Sequence, residues 1–130
     1  MRKQMKLNKE ADELLKYYKQ SYYDKEGFNA SYTFIINKII EDLSLEISRI
    51  DWALVRNTKC DKTPKNDKDN ITYVTTLNLT NSTENFINEI QREIRNQFEI
   101  ARVYMAFAVK MSLRAYYLKN IQKINIYKNK

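Results

Sequence analysis

The sequence predicts a mainly helical chain with a short two-stranded β-ribbon, arranged as two strand-helix-helix repeats. Three observations lead to this fold class. Apolar residues recur at helical spacing in both halves, two segments alternate as β-strands do, and the polar segment 57–70 separates the halves. With 130 residues, the chain has the size of one ordinary domain.

Helices are predicted from apolar stripes in which residues recur every three or four positions. In the first half the stripe consists of Ile36, Ile40, Leu43, Ile47, Ile50 and Leu54. In the second half it consists of Ile87, Ile90, Ile94, Ile100, Tyr104, Phe107, Met111, Leu118 and Ile121. The later helix of each half is expected to start near Ser31 and near Ala101.

The earlier helix of each half has a start signal. Asn8 can cap a helix that begins with KEADELLKYY, and Asn81 is followed three residues later by Glu84, which is the pattern of a capping box. Both helices are therefore expected to begin directly after a strand.

The first stripe is too long for one straight helix. Residues 31–56 would travel about 39 Å at 1.5 Å per residue, while the segment 57–70 reaches only about 46 Å when fully extended. We therefore expect the helix to break near Ser44 and residues 45–56 to fold back. A straight helix would instead let each strand pair with one from another chain, so a homodimer or higher oligomer is left open.

Strands are expected at the N-terminus and at residues 71–79, where Thr, Val, Tyr and Ile are dense. Alternation places Met5 and Leu7, and likewise Tyr73, Leu77 and Leu79, on a buried face. The opposite face then carries six outward side chains: Arg2, Gln4, Lys6, Val74, Thr76 and Asn78.

The two halves align as repeats when one is shifted along the other. A shift of 72 places Met5 on Leu77 and Leu7 on Leu79, and a shift of 70 places Phe34 on Tyr104. The predicted organisation is a first repeat, 1–56, a linker, 57–70, a second repeat, 71–118, and a basic C-terminal tail, 119–130.

Positive charge is concentrated at the two ends of the chain. Eleven of the 23 Lys and Arg residues lie in residues 1–9 and 100–130, which hold no acidic residue. The middle keeps twelve basic residues against sixteen acidic ones, a net charge of −4. Localised positive charge favours a polyanionic partner such as nucleic acid.

The composition argues against catalysis and cofactors. A single Gly cannot form phosphate-cradling loops, and a chain without His and with one Cys lacks imidazole bases and zinc clusters. We therefore expect a protein that is not an enzyme and takes no cofactor or metal. No apolar run is long enough for a membrane span, so we also expect the protein to be cytoplasmic and not to contact a membrane. We expect Cys60 to be exposed in the linker, where Lys59 and Lys62 favour a lowered thiol pKa.

The tyrosine pairs and the lone tryptophan are interpreted as packing residues. Neighbouring residues on a helix point about 100° apart, so in Tyr17–Tyr18 and Tyr116–Tyr117 one ring should enter the core and the other should lie at its rim. Trp52 is expected to fill the core.

A strand followed by two helices within about 45 residues resembles the ribbon-helix-helix family of small DNA-binding proteins, the Arc/MetJ/CopG-like class. The resemblance covers residues 2–43 and 71–118, and the tandem form is similar to relaxosome accessory proteins of conjugative plasmids. SYTFII (residues 31–36) is similar to the family's Ser-x-Ser-x-x-hydrophobic opening of the second helix. The second copy departs from this pattern, because Ala101 stands where that Ser is expected, followed by Arg102.

The resemblance implies a function. In this family a β-ribbon reads double-stranded DNA in the major groove, so the six outward side chains are the expected base contacts. Expected phosphate contacts are Ser31, Tyr32, Thr33, Arg102, Lys110 and Arg114. Since the first strand is basic and the second neutral, the target site should be asymmetric, and the role is that of a transcriptional repressor or a plasmid or phage accessory factor.

The alternative is a small helical protein-binding module, such as a phage or plasmid inhibitor, that does not act through DNA. An antitoxin would combine both activities, with the ribbon on its operator and the C-terminal region on a protein partner.

Overall fold

A computed structural model describes residues 2–23, 30–61 and 72–128, apart from the side chains of residues 22, 23, 72 and 73. The protein is mainly helical and has a small antiparallel sheet, as predicted. In chain order the elements are β1 (Arg2–Asn8), α1 (Lys9–Tyr18), a π-helical turn (Lys19–Tyr23), α2 (Tyr32–Leu43), a 3₁₀ turn (Ile47–Arg49), α3 (Trp52–Asn57), β2 (Thr72–Asn78), α4 (Asn81–Phe98) and α5 (Met105–Asn120).

The sheet consists of β1 and β2, which pair antiparallel with Gln4 opposite Thr76. Met5, Leu7 and Leu77 are buried on the face that meets the helices, so the predicted alternation is confirmed at these positions. The predicted burial of the Tyr73 side chain lies outside the described residues.

The helices that follow the strands begin where the sequence places them. The Asn8 side chain caps α1 by accepting a hydrogen bond from the Ala11 backbone N–H at 2.9 Å. At α4 the expected cap was wrong by one residue, because Thr80 rather than Asn81 accepts from the backbone N–H of Thr83, at 3.0 Å. Thr80 has the extended backbone of an N-cap residue, whereas Asn81 is already helical.

The predicted break near Ser44 is confirmed. Helix α2 ends at Leu43, the chain turns, and α3 returns along the body of the fold. Trp52 anchors the return, since its side chain is fully buried and its indole N–H donates to the Ile47 carbonyl at 3.2 Å. The turn leaves Leu45 almost fully exposed.

The start of the last helix differs from the expectation of residue 101. Helix α4 ends at Phe98, the next residue, Glu99, has a φ of 55° that turns the backbone out of the helix, and α5 begins only at Met105. The segment between them is held by Gln91, whose side-chain amide donates to the Val103 carbonyl at 2.8 Å. Ala101 and Arg102 therefore lie in an exposed connection and not at a helix N-terminus.

A single hydrophobic core contains buried residues from both halves. Helix α5 is central, because it packs against α1, α2, α3 and α4. Residues expected to form a tail also pack on this body: Ile126 is buried, and its carbonyl accepts from the Asp51 backbone N–H at 2.8 Å. Of the expected linker, 62–70 lies outside the described residues.

The aromatic predictions hold for both described pairs. Tyr18 and Tyr117 are fully buried while Tyr17 and Tyr116 lie at the rim, and the four rings meet edge to face at 5.5–5.9 Å. The Tyr18 hydroxyl donates to the Leu113 carbonyl at 2.6 Å, and burial raises its pKa.

The expectation for Cys60 was wrong. The thiol is buried in the core, and desolvation raises its pKa to about 11, although the nearby Arg114 acts in the opposite direction. Desolvation of the thiol therefore outweighs the effect of the Arg114 charge on its pKa.

Candidate nucleic-acid interface

One face of the sheet is covered by the helices and the other is exposed. The six side chains predicted to point outward, Arg2, Gln4, Lys6, Val74, Thr76 and Asn78, are all exposed or partly exposed and form what we call the outer face. Residues directly opposite each other in an antiparallel pair share a face. The observed register sets Arg2 against Asn78, Gln4 against Thr76 and Lys6 against Val74.

The outer face combines groups that recognise different base edges. Arg and Lys donate, the Gln and Asn amides both donate and accept, and the methyl groups of Thr and Val offer apolar contact. Each strand has seven residues and so extends about 24 Å at 3.4 Å per residue. Two strands about 4.8 Å apart fit a major groove that is about 12 Å wide.

The first turn of α2 lies at one end of the sheet, where β2 finishes. The Thr33 hydroxyl accepts from the Asn78 backbone N–H at 3.2 Å. Asn37 adds two contacts, since its side chain donates to the Asn78 carbonyl at 3.5 Å and accepts from the Thr80 N–H at 3.4 Å. These bonds attach the helix N-terminus to the end of the strand.

Because these hydrogen bonds join the first turns of α2 to the end of β2, Ser31 and Thr33 lie close to the outer face. The Ser31 side chain is exposed and caps α2 by accepting from the Phe34 backbone N–H at 3.1 Å. Tyr32 and Thr33 are half-buried in the same turn. The sequence analysis did not identify Asn37 as a contact to β2. The signal for such a contact was a polar side chain directly after the apolar Ile35 and Ile36.

The N-terminus of α5 lies at the opposite end of the sheet, where β1 finishes. A cavity of about 500 Å³ separates them, lined by Met5, Lys6, Asn8, Tyr104, Met105, Ala106, Phe107 and Lys110. The Arg102 guanidinium lies 5.9 Å from the Tyr104 ring centre, and the Lys110 ammonium lies 5.2 Å from the ring centre of Phe107. The structure thus places a helix N-terminus beside each end of the sheet.

Arg114 is a correction to the expected phosphate contacts. Its guanidinium is buried, donates to the Val55 carbonyl from Nε at 3.1 Å and from Nη2 at 3.0 Å, and forms an ion pair with Glu10. The last carbonyls of a helix have no partner within the helix, and the five donors of an arginine can satisfy them. Arg114 therefore satisfies carbonyls at the C-terminal end of α3 and is no longer among the expected phosphate contacts.

Within residues 2–23, 30–61 and 72–128, no group of three or more Cys, Asp or Glu side chains is arranged to hold a metal ion. None of the helices in those ranges has the length and apolar character needed to cross a bilayer.

Comparisons with family models, with curated proteins and with solved structures found no match for this chain.

Proposed function

We propose that the protein binds double-stranded DNA in a sequence-specific manner by inserting the outer face of its sheet into the major groove. The observation that carries this proposal is geometric. Six outward side chains capable of contacting bases share one face of a two-stranded antiparallel sheet, and a helix N-terminus lies at each end of that sheet.

We also propose that the halves are tandem ribbon-helix-helix units. The N-caps Asn8 and Thr80 are 72 positions apart, the shift that aligns the strands. At the same shift, buried Leu15 corresponds to buried Ile87 and buried Tyr18 to buried Ile90.

The contacts between helices support the same relation. Helix α1 packs on α5, and its counterpart α4 packs on α2, so helices of each half contact the other half; α4 also packs on α5 of its own half. One chain then supplies both strands of the ribbon, which family members otherwise obtain by dimerisation.

Phosphates flanking the ribbon would meet different groups at its two ends. At the α2 end, the turn that carries Ser31, Tyr32 and Thr33 presents a helix N-terminus, which favours anions through its dipole. At the α5 end the cationic side chains of Arg102 and Lys110 would serve. Together with a basic β1 and a neutral β2, this difference supports an asymmetric DNA target.

A protein of this kind acts as a repressor or as an accessory factor that marks a DNA site for other machinery. Every group assigned to the interface recognises or positions DNA, and none is assigned to bond breaking.

The test replaces Gln4, Lys6, Thr76 and Asn78 together by Ala and measures binding to the DNA upstream of the protein's own gene by fluorescence anisotropy. Each good base contact contributes about 1–3 kcal/mol, so we expect specific affinity to fall by at least about 100-fold. The matched control is Asn88→Ala with Arg92→Ala, two exposed positions on α4. Unchanged specific affinity in the fourfold variant, with an unchanged melting temperature, would refute the proposal.

Salt dependence gives a second readout from the same assay. Removing one phosphate-binding side chain should reduce the slope of log K against log salt by about 0.9. Arg102→Ala should lower the slope for specific and nonspecific DNA alike, whereas Thr76→Ala should lower specific affinity alone.

A further inference from the structure

A continuous concave surface surrounds the first turns of α5. Three adjacent cavities of about 310, 500 and 330 Å³ meet there, and Phe107 lines all three. Tyr104 stands between the second and third cavities and lines both. We call this surface the α5 groove.

The floor of the α5 groove is apolar and open to solvent. Tyr104 is 67% exposed and Ile100 is 44% exposed, which is unusual for large apolar side chains. Met105 and Phe107 are half-buried beside them, and Met5 closes the end that adjoins the sheet. A concave apolar surface of this kind is typical of a binding site.

The rim of the α5 groove is positively charged. Six basic residues line the three cavities, namely the buried Arg114 and, around it, Lys6, Lys9, Arg56, Arg102 and Lys110. Among the described lining residues the acidic one is Glu10, which is paired with the buried Arg114. The basic side chains thus keep a net positive field over an apolar floor, and an incoming segment must be acidic to complement it.

We propose that the α5 groove docks an acidic peptide segment of a partner protein, with apolar anchors that fill the cavities on either side of Tyr104. Carboxylates between the anchors would pair with Arg102 and Arg56 along the rim. Apolar anchors and charged residues alternate in this way when an amphipathic segment lays its apolar face in a groove.

A single-stranded nucleic acid is the competing occupant, because aromatic rings beside cations also stack bases. The shape of the floor favours the peptide. Its cavities are lined by aliphatic side chains such as Met5, Met105 and Ile100, which fit branched anchors rather than planar bases.

The groove shares one residue with the outer face of the sheet. Lys6 belongs to both, and Arg102 of the groove is also a proposed phosphate contact, so a docked acidic segment and DNA would compete for these two cations. The docking itself does not depend on the proposed DNA binding.

The experiment uses a fluorescein-labelled peptide of about 14 residues in which Leu and Phe recur at helical spacing among Asp and Glu. Its partner probe has Lys in place of every acid, and a third probe is a labelled oligo-dT. We expect the acidic peptide to bind the full chain, and Tyr104→Ala and Arg102→Glu each to weaken it by about fivefold or more. Matched controls are Leu45→Ala, an exposed apolar residue outside the groove, and Lys38→Glu, an exposed lysine of α2.

Three outcomes would overturn the proposal. The first is equal binding of the lysine peptide, the second is an affinity that Tyr104→Ala and Arg102→Glu leave unchanged in folded variants, and the third is no binding of the acidic peptide. If oligo-dT binds instead and depends on Tyr104, the groove is a nucleic-acid site.

Discussion

The two ends of the sheet each adjoin the N-terminus of a helix, but their side chains differ in chemistry. At the α2 end, Ser31 caps the helix, and Thr33 and Asn37 hydrogen-bond directly to the end of β2. At the α5 end, Tyr104 occupies the N-cap position without a side-chain cap, and a cavity lies between helix and strand.

The difference shows how one architecture can acquire two surfaces. At the α2 end, direct hydrogen bonds hold the helix at a defined position relative to the outer face. At the α5 end, apolar and basic side chains line the open α5 groove instead. Under the two proposals made above, the α2 end positions DNA and the α5 end docks a peptide.

The largest expected effect concerns the support behind the α5 groove. Replacing Arg114 by Ala leaves Glu10 and the last carbonyls of α3 without their partner, which should destabilise the fold by about 3–5 kcal/mol. Urea unfolding followed by circular dichroism measures the change. Arg102→Ala is the control, since that side chain is exposed on the same end of the molecule. If Arg114→Ala lowers the free energy of unfolding no more than Arg102→Ala does, the buried contacts of Arg114 do not hold α3 against α5.

The next effect concerns the cap at the α2 end. Ser31→Ala removes the oxygen that accepts from the Phe34 N–H and should reduce the free energy of unfolding by about 1 kcal/mol. Ser31→Asp restores an acceptor and should recover most of that loss. If Ala and Asp are equally stable in thermal melts, the cap does not distinguish the two ends.

The smallest expected effect comes from introducing a capping side chain at the N-terminus of α5. Tyr104 has the extended backbone of an N-cap residue, with φ −76° and ψ 152°, so a serine there can accept from the first turn of α5. Tyr104→Ser should be more stable than Tyr104→Ala by about 0.5–1 kcal/mol. Because both variants lack the tyrosine ring, the difference between their free energies of unfolding reports the effect of the serine cap alone. Equal stability of Ser and Ala would mean that the α5 N-terminus is satisfied in another way.

Sequence reasoning succeeded where the signal is local. The cap at Asn8 and the start of α2 near Ser31 follow from a polar residue before an apolar stripe, and the break near Ser44 follows from chain length. The outward side chains of β1 and β2 follow from alternation, because burying Met5 necessarily exposes Gln4 and Lys6.

Sequence reasoning failed where distant segments decide the outcome. The start of α5 depends on Gln91, which holds the Val103 carbonyl, and a helical stripe running through residue 100 concealed this. Arg114 appeared to belong to a basic surface because its partners, Glu10 and Val55, are far away in the sequence.

The sequence by itself determined where both strands and the helices α1 and α2 begin, that Asn8 caps α1, and which side chains of the strands face away from the core, since period and capping act between neighbours. Only the tertiary structure decided that α2 and α5 begin beside opposite ends of the sheet, that Arg114 and Cys60 are buried, and that Tyr104 stands over an open groove. Those features depend on contacts between residues tens of positions apart, and one chain's local pattern carries no information about which distant partner removes a given group from water.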